Sequence, residues 1–76
     1  MTIYEISYNE YWVVKGQKKG SWNFDHKNIS ASDVEVAVTT LRKRLIGGSF
    51  KTDDGKDTVI CTKLKITEVK ALAETN

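Results

Sequence analysis

The sequence predicts an α+β fold: a small, mostly antiparallel sheet of three or four strands in the order β-β-α-β, with one helix packed across one face. Two observations predict it. Long segments alternate apolar and polar residues at the strand period, and one segment, Ile29 to Gly48, repeats its apolar residues at the helical period between matching start and stop signals.

From Thr2 to Val14 the even positions Tyr4, Ile6, Tyr8, Trp12 and Val14 are apolar, and Glu5, Ser7, Asn9 and Lys15 lie among the odd ones. Glu10 is the one break on that apolar face, so periodicity allows either one long strand with a bulge or two pieces. Gly16-Gln17-Lys18-Lys19-Gly20 has the length of a hairpin loop, and Trp22 and Phe24 then share one face of a short second strand.

The helix is expected to start at Ser30, with Asp33 three residues later completing a capping-box-like pair and Ile29 and Val34 in the staple positions. Val34, Ala37, Val38, Leu41 and Leu45 form its dry stripe. Arg42, Lys43 and Arg44 sit where the helix dipole favours cations, and Gly47-Gly48 supplies the stop. Phe50-Lys51-Thr52 is an expected brief strand before the turn at Asp53-Asp54-Gly55-Lys56. In the last strand Ile60, Thr62, Leu64 and Ile66 are expected on the dry face, with Cys61, Lys63 and Lys65 on the wet one. Residues 1–70 make one domain, and residues 71–76 are expected to fray.

A chain of 76 residues has room for one core, and 39% hydrophobic with 29% charged residues is a globular composition. One cysteine excludes an internal disulfide framework and a multi-cysteine zinc site, which points to a reducing, cytoplasmic setting. No apolar run approaches the ~18 residues of a membrane span, and Met1-Thr2-Ile3-Tyr4-Glu5 does not read as a leader, so no membrane partner is expected. Twelve basic against ten acidic residues leave a net charge of +2, too even to name a nucleic-acid partner from composition. The distribution says more: Lys15, Lys18 and Lys19 crowd one turn, Arg42, Lys43 and Arg44 crowd the helix end, and Lys63, Lys65 and Lys70 mark the last strand.

Catalytic chemistry finds little support. Asp25-His26 sets the only imidazole beside a carboxylate, a pair that can orient a general base, but no nucleophile elbow, phosphate loop or second histidine accompanies it. Cys61 would be reactive only in basic, exposed surroundings, and otherwise serves as a small half-buried hydrophobe. The carboxylates of Asp53, Asp54 and Asp57 lack the ligand spacing of a calcium loop and read as a solvated turn. No cofactor and no metal are expected. Tyr4, Tyr8, Trp12, Trp22 and Phe24 could make a base-stacking platform beside the lysines. They are instead expected beneath the helix, whose stripe of Val, Ala and Leu calls for large partners. Tyr11 and Val36 are apolar on the outer sides of their elements, where a contact surface would lie.

His26-Lys27-Asn28-Ile29-Ser30-Ala31-Ser32-Asp33-Val34-Glu35-Val36 is similar to the stretch that enters the helix in the phage-encoded inhibitors of uracil-DNA glycosylase, and Tyr4-Glu5-Ile6-Ser7 is similar to their first strand. The element order also resembles that of the small coliphage inhibitor of bacterial RNA polymerase. The resemblance implies a small bacteriophage host-takeover protein. In the glycosylase inhibitors two aromatic side chains on the helix form a box for a residue of the enzyme. The corresponding positions here are Val34 and Val38, and the chain is basic where a DNA mimic is acidic, so that activity is not carried over.

Two expectations follow. The first is a non-enzymatic, phage-encoded protein, monomer or homodimer, that docks on a host protein or complex through Arg42, Lys43, Arg44, Val36 and Tyr11. The alternative is a nucleic-acid-binding module with Lys18, Lys19, Arg42, Lys43 and Arg44 on phosphates and Tyr11 or Trp22 on bases.

Overall fold

The computed structural model describes residues 1–74 as β1 (Thr2–Val14), β2 (Gly20–Ala31), α1 (Val34–Leu45), β3 (Ser49–Lys51) and β4 (Thr58–Glu74). The strands form one four-stranded sheet in the order β2-β1-β4-β3, with every neighbouring pair antiparallel. The α+β class and the single crossing helix are as the sequence predicts.

β1 is one unbroken strand. Its ladder with β2 runs without interruption from Thr2↔Ala31 to Val13↔Gly20. Against β4 the register slips by one residue at three places, leaving Thr62, Thr67 and Leu72 without opposite residues in β1. Each slip is a β-bulge, which bends the strand and adds local twist, so the sheet curls along its length. The bulges also reset the alternation of β4, which is why Cys61 and Leu64 are both buried although they lie three residues apart. The expected wet face for Cys61 is therefore corrected: it stands opposite Trp12 and is fully buried. β4 also continues through Ala71–Glu74, where Ala71 pairs with Tyr4 and Glu74 with Thr2, so the expected fraying does not begin at residue 71. Thr75 and Asn76 lie outside the described residues.

The helix starts later than the sequence suggested. Asp33 is the N-cap, its carboxylate accepting the Val36 N–H at 2.9 Å. Ser30 lies in β2 opposite Ile3, and Ile29 and Ala31 are buried strand residues on the helix side. The physical reason is the ladder to β1: it stays paired until Thr2, so the chain is held in the sheet as far as Ala31. At the other end the Ile46 N–H bonds the Arg42 carbonyl, and Gly47 adopts φ +88°, a left-handed conformation suited to glycine. Gly47 N–H then bonds the Cys61 carbonyl, and Cys61 N–H bonds the Gly48 carbonyl, tying the helix exit to β4.

Tyr4, Ile6 and Tyr8 of β1, Ile29 and Ala31 of β2, Leu64 of β4, and Ala37 and Leu41 of α1 form the core, with Val38, Leu45, Ile66 and Val69 packed at its margin. Val34, expected on the dry stripe, is exposed in the first helical turn. A twelve-residue helix is about 18 Å long, whereas thirteen residues of β1 reach about 43 Å, so α1 covers only part of one sheet face.

Candidate functional site

Because β1 and β2 pair without a bulge, the residues on each face of that ladder can be read directly. Ile29 and Ala31 lie on the helix side, so Trp22, Phe24, His26, Asn28 and Ser30 belong to the opposite face. Nothing among the described elements covers that face. Trp22 is 51% exposed and Phe24 66% exposed, which corrects the expectation that they belong to the core. Only Tyr4 and Tyr8 of the five aromatics are core residues, and Trp12 is half-buried with its ring 5.3 Å from that of exposed Phe50.

Successive rows cross the open face. Trp22, Tyr11 and Lys63 form one row, and Phe24, Asn9 and Lys65 the next. Tyr11 backs Trp22, with ring centroids 4.9 Å apart and planes tilted by 52°. Lys63 Nζ stands 5.2 Å from the Tyr11 ring centroid, a cation–π distance. Gly20 N–H donates to the Tyr11 hydroxyl at 2.7 Å, which fixes the phenol at its hydroxyl. Neither row contains a carboxylate. Further along, His26, Ser7 and Glu68 align, and then Asn28, Glu5 and Lys70; Glu68 and Lys70 are 3.4 Å apart in an exposed ion pair. The loop carrying Lys15, Lys18 and Lys19 adjoins the Trp22 end, and the acidic turn of Asp53, Asp54 and Asp57 lies past the end of β3.

The fold divides the residues singled out from the sequence. Tyr11, Trp22, Lys18 and Lys19 are at one end of the open face or its adjoining loop. Arg42, Lys43, Arg44 and Val36 are on the helix, which packs on the other side of the sheet. Arg42, Lys43 and Arg44 are all exposed, and the Arg42 guanidinium also donates to the Leu64 carbonyl at 3.1 Å. Val36 and Lys43 border a shallow, open depression on the helix with Glu35, Thr39 and Thr40. Neither of the two expected residue sets forms a single patch. Phe24, Lys63 and Lys65 join Trp22 on one surface instead, and a longer reading of β2 was the signal: parity with Ile29 and Ala31 puts Trp22 and Phe24 on the far face.

The remaining titratable groups have structural explanations. Asp25 and His26 point to opposite faces, and the Asp25 carboxylate accepts the His26 backbone N–H at 2.7 Å, so it does not orient the imidazole as a base. Burial, followed by the Glu10 carboxylate, pushes the Cys61 thiol up, against a smaller lowering by the backbone of Lys63. A buried neutral thiol is a poor nucleophile. Tyr8 is pushed up to about 12 by burial, then by Asp25, Glu10 and Cys61, and its buried hydroxyl has no hydrogen-bond partner. Glu10, the break in the apolar pattern, lies on the helix face at 9% exposure. Asp54 is lowered by the Thr52 hydroxyl, which donates to it at 2.6 Å, and by the Lys56 N–H. Among the described residues no group of three or more His, Cys, Asp or Glu is placed to hold a metal, and no helix is long and apolar enough to cross a membrane.

No protein-family model, no curated protein and no solved structure matches this chain.

Proposed function

We propose that this chain is a non-enzymatic binding module that holds single-stranded nucleic acid on the open face of its sheet. The observation that carries the reading is the pair of exposed rings, Trp22 and Phe24, in the same rows as Lys63 and Lys65, one strand away across Tyr11 and Asn9, on a face that none of the described elements covers. Burying a large apolar side chain contributes roughly 1.5 to 3 kcal/mol, and this face leaves two neighbouring aromatic groups of that kind largely in water. Bases stacked on them would recover that contribution, and stacking tolerates any sequence because every base has a π-face. Lysines flanking rings, with no carboxylate in the same rows, suit a phosphate backbone. A duplex keeps its base faces stacked inside, so a ring on an open sheet selects unpaired strands.

The experiment is an anisotropy titration of labelled single-stranded DNA and RNA at low salt, comparing the native chain with Trp22→Ala/Phe24→Ala. Loss of two stacking contacts should weaken binding by at least about 30-fold, while the loss of the Tyr11–Trp22 pair lowers stability by only about 0.5 to 1.5 kcal/mol beyond the buried area, which a thermal melt checks. Absence of binding by the native chain, or equal binding by the double variant, contradicts the proposal.

Docking of a host protein on the helix rests on the depression shared by Val36 and Lys43. A nuclease-resistant partner lost in Lys43→Glu/Arg44→Glu would favour that second reading.

A further inference from the structure

Trp22, Phe24 and His26 occupy alternate positions of one strand and share its open face. We propose that they form a stacking ladder of three rungs, one base to each ring, with the bound strand running along β2 and His26 as the third rung. This rests on the reading of the open face as a single-strand site.

Spacing is the first support. Alternate residues of an antiparallel strand are about 6.8 Å apart, and an unstacked nucleic-acid strand can advance by about twice its ~3.4 Å stacked rise per nucleotide. The ladder and an extended strand therefore share a period, which two rings on different elements would meet only by chance. Histidine belongs with Phe, Tyr and Trp among the side chains on which unpaired bases stack.

The ends of the ladder are the second support. Before Trp22 the next position on this face is Gly20, which offers no ring, and a Cβ there would collide with the Trp12 carbonyl. After His26 comes Asn28, also without a ring. Three rungs is thus a count fixed by the strand. The backbone at both ends is held: Gly20 N–H bonds the Tyr11 hydroxyl and His26 N–H bonds the Asp25 carboxylate. Glu68, the carboxylate in the His26 row, is paired with Lys70, which offsets its repulsion of a passing phosphate.

The test uses the native chain, His26→Ala and His26→Phe, titrated at low salt with oligothymidylates of two, three and six nucleotides, with thermal melts confirming that the exposed substitutions leave folding intact. The ladder predicts that His26→Ala weakens the three- and six-nucleotide ligands by about fivefold or more, the range of one lost stack. The dinucleotide, which keeps the Trp22 and Phe24 rungs, should lose at most about twofold through its second placement on Phe24 and His26. His26→Phe should restore the affinity. Oligonucleotides that bind but show no dependence on His26 at any length overturn the ladder alone. No binding at any length overturns the ladder together with the reading of the face.

Discussion

Tyr11 and Trp22 are direct cross-strand partners on the face of the sheet opposite the helix, with ring centroids 4.9 Å apart. An aromatic pair in this tilted arrangement is worth about 0.5 to 1.5 kcal/mol beyond its buried area. Tyr11 therefore fixes where Trp22 presents its ring, and Lys63, 5.2 Å from the Tyr11 ring centroid, brings a cation into the same row on the other side of Tyr11. The aromatic and basic features are built into one row instead of being scattered over the surface.

Salt dependence tests the lysines of that surface separately from the rings. Each phosphate neutralised on a single strand contributes a log–log slope of about −0.7. Lys63→Ala and Lys65→Ala should each reduce the slope by about that amount while weakening binding to all sequences alike. Lys43→Ala, on the helix, should leave the slope unchanged.

Leu41 is fully buried between α1 and the sheet, so Leu41→Ala should destabilise the fold by about 2 to 5 kcal/mol. Thr40 is only half-buried, its hydroxyl donating to the Val36 carbonyl at 2.8 Å, and Thr40→Ala should stay within about 0.5 kcal/mol. Denaturant melts compare the two; equal stability would contradict the packing of the helix.

Asp33 caps α1 and Ser30 does not. Asp33→Ala should therefore cost about 1 kcal/mol, and Ser30→Ala, in an exposed strand position, less than about 0.5 kcal/mol. The reverse order in chemical unfolding would restore the earlier helix start.

The two helix starts show what the sequence could and could not reveal. Ser30 and Asp33 are both good capping residues three positions apart, and local chemistry does not choose between them. The choice is made by β1, which keeps Ile29 to Ala31 in its ladder. Assigning Ile29 to the helix also shortened β2 and hid the parity that exposes Trp22 and Phe24. In β4 the bulges at Thr62, Thr67 and Leu72 carry no local signature, so strict alternation misplaced Cys61. By contrast, the even-numbered dry face of β1 and the stripe of Ala37 and Leu41 were legible, because those elements keep one period throughout.

Tyr8 gives a pH prediction. Its phenol is raised from 10.0 to about 12 in the folded chain, so above the unfolded value the unfolded state gives up its proton first. The stabilisation is complete below pH 10 and is lost as pH rises from there through about 12. Native Tyr8 should stay protonated at pH 11 in an ultraviolet titration. Stability should fall less steeply between pH 10 and 12 in Tyr8→Phe, which also removes the unpartnered hydroxyl.

The most direct measurement is a two-dimensional amide NMR titration of the labelled chain with a six-nucleotide single strand at low salt. The largest shifts should fall on Tyr11, Trp22, Phe24, His26, Lys63 and Lys65, the residues of the open face. Amides of α1 around Lys43 and Arg44 should move little. Shifts concentrated on the helix end, or no shifts at all, would contradict the assignment of the open sheet face as the binding surface.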